Sequence, residues 1–315
     1  MKRYTHRLLW LFAVLLLANG CTKEDDSDCI IIKENTIIYF KLNGSSAAFT
    51  SEVTSVDAFI FDESKKFFES KRFNVGELNQ FAGWRTNLPV GDYYVVCWGN
   101  VGDNSRMNSF VKGATAFDEA YIQIPNTITT TGNPIFYAPY KLHPFASTGA
   151  LVTRSIDPLM ADYGFHVEAQ KENTKEMFFG SAHRTINVYI MGYSSASSLP
   201  ATITGTQLCA EYGFYYNTHN VFRNFTQVAQ AVTTPDGAAL LATFYVGFSE
   251  VTNSMNFILS QGSGGVVLET VNLLQFLADH PDANTNVINI LIKFSELGVT
   301  ISMPGWGDMP VIPGI

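Results

Sequence analysis

The chain has 315 residues, with 20 Lys and Arg against 28 Asp and Glu and a formal net charge of −8 with the histidines neutral. A net negative chain without a basic patch argues against nucleic acid as a partner and offers nothing to anionic lipid. Charged residues are only 15% and aromatics 13%, with 24 Phe and 14 Tyr, which describes a well-filled globular chain, rich in strand formers and long enough for two domains.

The first element is a processing signal. Lys2, Arg3 and Arg7 make a positive head, and Leu8 to Ala18 is an apolar run of 11 residues. A bilayer span needs about 20 residues, so this run fits a signal-peptide core. Asn19 and Gly20 follow, then Cys21. A cysteine placed here reads as a lipobox: cleavage between Gly20 and Cys21 frees a cysteine whose thiol takes a diacylglycerol, and two or more acyl chains hold a protein firmly on a membrane. Ala18 and Asn19 stand where the usual lipobox has Leu and then Ala or Ser, and Leu17 sits one position early. The alternative is an ordinary secretory signal with a chance cysteine. With residues 1–20 removed, three basic residues go and the net charge becomes −11. Residues 21–33 form the expected lipidated tether, because Thr22 to Asp28 holds no apolar residue and cannot bury anything.

Strand signals dominate from there. Val56, Ala58 and Ile60 alternate with Asp57, Phe59 and Phe61; Tyr93, Val95 and Cys97 with Tyr94, Val96 and Trp98; Ile186, Val188 and Ile190 with Asn187, Tyr189 and Met191; and Ile288, Ile290, Ile292 and Phe294 with Asn289, Leu291 and Lys293. A period of two over so many segments means sheets with one face more buried than the other. Turn residues punctuate them at Asn43-Gly44, Pro89 to Asp92, Asn100 to Asp103 and Pro235-Asp236-Gly237. Helical signals are few: two turns over Val271 to Ala278, stopped by Pro281, and one over Phe117 to Tyr121. The pattern predicts an all-β protein of two tandem β-sandwiches with few short helices, residues 34–150 and 151–315, divided in the irregular stretch around Pro144, Gly149 and Pro158.

Cys29, Cys97 and Cys209 remain beside the lipidated cysteine. An oxidising envelope permits one disulfide, with Cys29 and Cys97 as the expected pair; three buried thiols are the alternative.

A search for catalytic constellations finds none. His143, His166, His183, His219 and His280 show no zinc spacing, and neither a nucleophile elbow nor a P-loop occurs. Gly262-Ser263-Gly264-Gly265 lies between two strand-like runs and reads as a hairpin turn. The acidic run Glu24 to Asp28 lacks the calcium-loop spacing and glycine. The expectation is therefore no enzyme, no metal and no cofactor. A distant carboxylate pair for glycoside hydrolysis leaves no trace in sequence. Trp84 and Trp98 read as core and Trp306 as a weak sugar platform.

Several features then coincide: Cys21 with Cys29 eight residues on, Val56-Asp57-Ala58-Phe59-Ile60-Phe61-Asp62, Leu88-Pro89-Val90-Gly91-Asp92-Tyr93-Tyr94-Val95-Val96, and Trp98-Gly99-Asn100. Together they resemble the FimB-like anchor lipoproteins of Bacteroidales-type fimbriae, the type V pili. Arg184 to Ile190 looks like that family's opening strand in the second domain. The likeness is sharp over residues 15–100 and diffuse beyond 200. The Lys-then-acidic run behind Cys21 resembles the tag of lipoproteins exported to the outer face of the outer membrane.

The resemblance implies two transthyretin-like sandwiches, no enzymatic activity, and an outer-membrane lipoprotein that holds a fimbrial stalk subunit at the cell surface and limits its length. It also implies strand exchange with that subunit. Val299, Ile301 and Met303, in the alternating run Gly298 to Met303, are the candidate strand in a donor role, with the proline-bearing tail from Pro304 to Ile315 able to dock in extended form. The other reading makes that run the last strand of its own sheet. Competing functions are a surface glycan-binding lipoprotein and an accessory or tip adhesin of the same pili.

Overall fold

The computed structural model describes residues 34–44, 47–102, 105–124, 134–140, 142–144, 154–156, 160–193, 200–215, 221–247, 252–262, 265–283 and 286–306. The expected signal peptide, Gly20, Cys21, the tether and Cys29 lie outside them.

Among the described residues twelve strands precede residue 182: β1 (Thr36–Leu42), β2 (Ser55–Phe61), β3 (Phe67–Asn74), β4 (Gly83–Thr86), β5 (Gly91–Gly99), β6 (Arg106–Met107), β7 (Tyr121–Gln123), β8 (Phe136–Ala138), β9 (Leu142–Pro144), β10 (Arg154–Ile156), β11 (Gly164–Val167) and β12 (Asn173–Ser181). Ten follow: β13 (Arg184–Met191), β14 (Ala201–Cys209), β15 (Glu211–Gly213), β16 (Phe222–Val228), β17 (Gln230–Thr234), β18 (Gly237–Val246), β19 (Asn256–Gln261), β20 (Val267–Asn272), β21 (Val287–Ser295) and β22 (Gly298–Ser302). The protein is all-β, and each alternating run in the sequence is a strand. Among the described residues no helix is long and apolar enough to cross a membrane.

The first sheet runs β3-β2-β5-β8-β12-β1-β4, with β11 also paired to β5. Side chains from its two ends meet in one core. Val56, Ala58, Ile60, Val95 and Cys97 of β2 and β5 pack with Ile38, Phe40, Trp84, Met177 and Phe179 of β1, β4 and β12. The sheet thus closes over itself as a sandwich, because each strand offers one apolar face. Trp84 and Trp98 are core, as their strand contexts predict.

Strands from both sides of residue 150 pair in one sheet. β12 pairs in parallel with β1, from Thr36 opposite Asn173 to Leu42 opposite Phe179, and β11 pairs with β5. Both belong to the first sandwich, which ends at Ser181. The cause is non-local: β1 lacks a neighbour on one side until β12 returns to it. Pairing between residues more than a hundred positions apart leaves no local mark, whereas the Pro- and Gly-bearing stretch before it does.

The second sandwich stacks a sheet of order β17-β18-β13-β21-β22 on one of order β16-β14-β19-β20. Ile186, Val188, Ile190, Phe244, Ile288, Ile290 and Ile292 face Ile203, Phe225, Phe257 and Leu259 across its core. Gly192 closes β13 with φ of 67°, where a Cβ would collide with the Phe294 carbonyl. Gly237 makes the β17–β18 turn at φ of 117°. Gly262 and Gly265 lie in the connection from β19 to β20, as the glycine-rich run predicts.

Of the helices, Leu273–Asp279 lies inside the expected span; Asn272 caps it by accepting from the Gln275 amide at 2.9 Å. A single 3₁₀ turn forms at Phe117–Glu119. A further helix, Val75–Gln80, lies outside the two expected helical spans, and its signal is in the sequence. Asn74 accepts from the Glu77 amide at 3.1 Å and Glu77 accepts from the Asn74 amide at 3.0 Å, a capping box.

The halves are joined by more than the link at Ala182 and His183. β15 pairs with β7 in a small sheet completed by β6. Phe59, Phe61, Trp98, Phe117, Tyr137 and Tyr163 of the first half enclose Cys209, Tyr212 and Phe214 of the second. The Tyr137 hydroxyl donates to the Phe214 carbonyl at 2.7 Å, and the Tyr163 hydroxyl lies 2.5 Å from the Tyr137 hydroxyl.

Candidate functional site

The candidate strand is β22, a five-residue edge strand. It pairs antiparallel with β21 from Ser295 opposite Gly298 to Leu291 opposite Ser302. The structure thus shows it as the last strand of its own sheet, one of the two readings the sequence leaves open.

Alternation puts Val299, Ile301 and Met303 on one side. Met303 packs against the second core, so that side faces inward. Val299 and Ile301 nevertheless stay 38% and 37% exposed. They lie at the margin of the sandwich, where the facing sheet has four strands against five. Apolar side chains directed into a sandwich and left partly wet are a place where a further strand gains area. Burying each would contribute about 1–2 kcal/mol.

The edge lacks the usual protection. Gly298 to Ser302 contains no charge and no proline, the devices that normally blunt an exposed edge. By contrast the edge strand β3 carries Glu69, Lys71 and Arg72. The β21–β22 turn holds the fully exposed Leu297. That turn is remote from the junction, since β21 runs parallel to β13, which starts there. The start of β1 is remote from the junction too, because β1 runs parallel to β12, which ends there.

Cys97 is a free thiol in the first core, with Ala58 and Ala138 opposite it, and burial pushes its pKa well above the ordinary thiol value. Cys209 is likewise free and buried, its pKa raised by burial. Low-reactivity thiols of this kind suit packing.

Asp57 and His183 are the ionisable groups moved furthest among the acids and histidines. Burial raises Asp57 on β2 to about 6, against the pull of Arg72 at 3.8 Å. Burial lowers His183 to about 4, although its Nδ1 sits 3.0 Å from the Ile135 carbonyl. Both follow from desolvation, which disfavours the charged form.

A shallow cleft of about 340 Å³ opens beside β5 and β11. Tyr94, Met160 and Phe165 line it, and Asp92 and His166 pair at 2.7 Å along it. No local pattern signals it, because its walls come from strands joined only by the fold. Trp306 is no open platform: it packs edge-on against Tyr189 and its indole N–H donates to Asp236 at 2.7 Å. Among the described residues no group of three or more His, Cys, Asp or Glu is placed to hold a metal ion.

Comparison with known proteins follows this architecture. The family model described as "Mfa2: Fimbrillin-A associated anchor proteins Mfa1 and Mfa2" matches residues 25–308. Among solved structures, a candidate polysaccharide-binding protein from Bacteroides thetaiotaomicron superposes with a TM-score of 0.61 at 15% identity, covering 86% of this chain and 96% of that one. A candidate adhesin from Bacteroides ovatus gives 0.60 at 16% identity over 86% and 94%. The fimbrial anchor protein Mfa2 from Porphyromonas gingivalis gives 0.54 at 14% identity over 82% and 89%. At these identities the likeness is one of fold. No curated protein sequence matches the chain.

Proposed function

This chain belongs to the family of fimbrillin-A associated anchor proteins Mfa1 and Mfa2 and is a fimbria-associated cell-surface protein, and from that premise we propose that it is the lipid-held anchor of a fimbrial stalk. Cys21 carries the lipid in the outer membrane. The thirteen residues 21–33 reach about 45 Å when extended, which gives the folded body slack above the lipid. The protein works as a structural part, without catalysis.

The observation that carries the reading within this family is the place of β22 at the end of its sheet, where among the described residues it pairs with β21 alone. A stalk subunit's strand adds along Gly298 to Ser302, its backbone satisfying the open N–H and C=O groups while its side chains cover Val299 and Ile301. Backbone pairing supplies affinity and the alternating side chains fix register. The edge ends in a turn remote from the junction, as the tether's attachment at β1 does. One molecule can therefore hold lipid and stalk at separate places, and a subunit docked on it stops growth at the base. β22 acts as an acceptor edge here, since leaving as a donor would cost it the pairing with β21.

The test is cross-linking in intact outer membranes, pull-down, and mass spectrometry of the partners and of the N-terminal peptide. Acylated Cys21 with a stalk subunit cross-linked to β22 is the expected result. Acylated Cys21 with glycan-uptake proteins instead would refute the anchor role. Electron microscopy that places the protein at the fimbrial tip would refute the basal position.

A further inference from the structure

The cleft beside β5 and β11 is built within one sheet. β11 pairs antiparallel with β5, with Gly164 opposite Tyr94 and His166 opposite Asp92. Residues opposite each other share a face. Tyr93 and its opposite residue Phe165 pack into the first core. Asp92, Tyr94, Gly164 and His166 therefore stand together on the other face, where the cleft opens.

Its far wall is fixed. Met160 and Ala161 come from the short helix Met160–Tyr163. Tyr163 is fully buried, with its hydroxyl 2.5 Å from that of Tyr137. Lys175 donates to the Asp162 and Gly164 carbonyls at 2.7 and 2.8 Å. A cleft held in shape before its ligand arrives loses little affinity to ordering.

Gly164 opens the floor. Its φ lies outside the left-handed region, and a Cβ placed on it would stand 3.7 Å from Tyr94 Cε1, an ordinary contact. Neither backbone conformation nor crowding demands a glycine here. The missing side chain keeps that flank of the half-buried Tyr94 ring open to the cleft.

The polar pair on the rim is only half used. His166 Nδ1 lies 2.7 Å from Asp92 Oδ1, and the two side chains are 55% and 64% exposed. Among the described residues no other group bonds either side chain, so Asp92 Oδ2 and His166 Nε2 face outward for solvent or a ligand.

These features select a ligand chemistry. The carboxylate on the rim opposes an anion. Lys65 already stands 5.9 Å from the centre of the Tyr94 ring, which opposes a second cation there. A hydroxyl satisfies both rim atoms, because it donates to Oδ2 and either donates to Nε2 or accepts from it. The negative face of an aromatic ring seats an apolar C–H surface. A pyranose sugar carries adjacent hydroxyls and such a surface on one ring.

We propose that the cleft formed by Asp92, Tyr94, Met160, Gly164 and His166 is a binding site for a neutral sugar residue. Two sugar hydroxyls bond Asp92 Oδ2 and His166 Nε2, and the C–H face rests on Tyr94. The cleft volume of about 340 Å³ lies at the lower end of the range of about 300–1,000 Å³ for ligand clefts, so the site takes a single small unit. The inference stands apart from the anchor reading. The cleft belongs to the first sandwich and β22 to the second, so one molecule can engage both.

The purified full-length chain is tested by saturation-transfer difference NMR against the methyl glycosides of glucose, galactose, mannose and N-acetylglucosamine. Glucuronate and Nα-acetyl-lysine amide serve as anionic and cationic probes. Binding of at least one neutral glycoside is expected, weakened at least tenfold by Asp92→Ala and by Gly164→Leu, which fills the floor and leaves the polar pair in place. Asp92 is exposed, so Asp92→Ala should keep the parent's thermal midpoint, and it decides alone if Gly164→Leu does not fold. Binding of none of the glycosides would overturn the proposal, as would binding that the folded variants leave intact. A preference for glucuronate or for the lysine amide over every neutral glycoside would also overturn it and assign the cleft to an acidic sugar or to a basic protein side chain.

Discussion

Asp57→Asn changes one atom type on β2 and should make the protein more stable, by an amount that depends on pH. Burial raises the Asp57 carboxyl from its ordinary 3.8 to about 6. A carboxyl whose folded pKa is raised binds more protons in the folded chain, so its contribution is fully present below 3.8 and is lost as pH rises through 6. At about 1.4 kcal/mol per pKa unit, the loss above pH 6 is about 3 kcal/mol. The Arg72 guanidinium at 3.8 Å already acts within that balance. Asn keeps the shape and carries no charge, so the stability difference between variant and parent should be near zero at pH 4 and grow to about 3 kcal/mol by pH 7. Urea midpoints at constant slope, taken at half-unit steps from pH 4 to 7.5, measure it. A difference that is flat across this range, or that grows toward acid, would refute the burial argument.

His183 works in the opposite sense. Its folded pKa of about 4 against an ordinary 6.5 makes its contribution complete above 6.5 and lost as pH falls toward 4. His183→Gln should therefore flatten the acid side of the stability profile in the same titration, by about 3 kcal/mol between pH 6.5 and 4. Tyr137→Phe removes the shorter of two hydroxyl bonds to the Phe214 carbonyl, leaving that from Tyr163 at 3.4 Å, and should cost about 0.5–1.5 kcal/mol; thermal unfolding checks it, and an unchanged midpoint would show that the junction tolerates the loss. Ile301→Lys places a charge on a side chain 37% exposed at the edge. It should change stability by less than about 1 kcal/mol yet abolish recovery of the stalk subunit in pull-downs, and intact recovery would remove β22 from the interface. Cys21→Ala should release the protein from the membrane fraction with the circular dichroism of the folded domains unchanged; retention in the pellet would remove the lipid anchor.

The local arithmetic of the chain determined a great deal. Period-two runs such as Ile186 to Met191 and Ile288 to Phe294 are strands in the fold, because a half-buried strand must alternate and nothing distant is needed to enforce it. Turns at Gly237 and around Gly262, the tryptophans in the core, and the cap at Asn272 are likewise local chemistry. The family itself was readable from strand and turn residues between 56 and 100 and is the family whose model matches the chain. Tertiary structure decided what depends on partners far along the chain. β12 joins the first sandwich because β1 presents an unpaired edge to it, and alternation cannot say which edge a strand will find. Val299 and Ile301 alternate like any buried pair, and only the mismatch of five strands over four leaves them partly wet. The same holds for β13. Its outward residues Asn187 and Tyr189 look like a solvent face in sequence, and their burial follows from side chains brought to them by the fold, such as Trp306 against Tyr189 and Asn289 against Asn187.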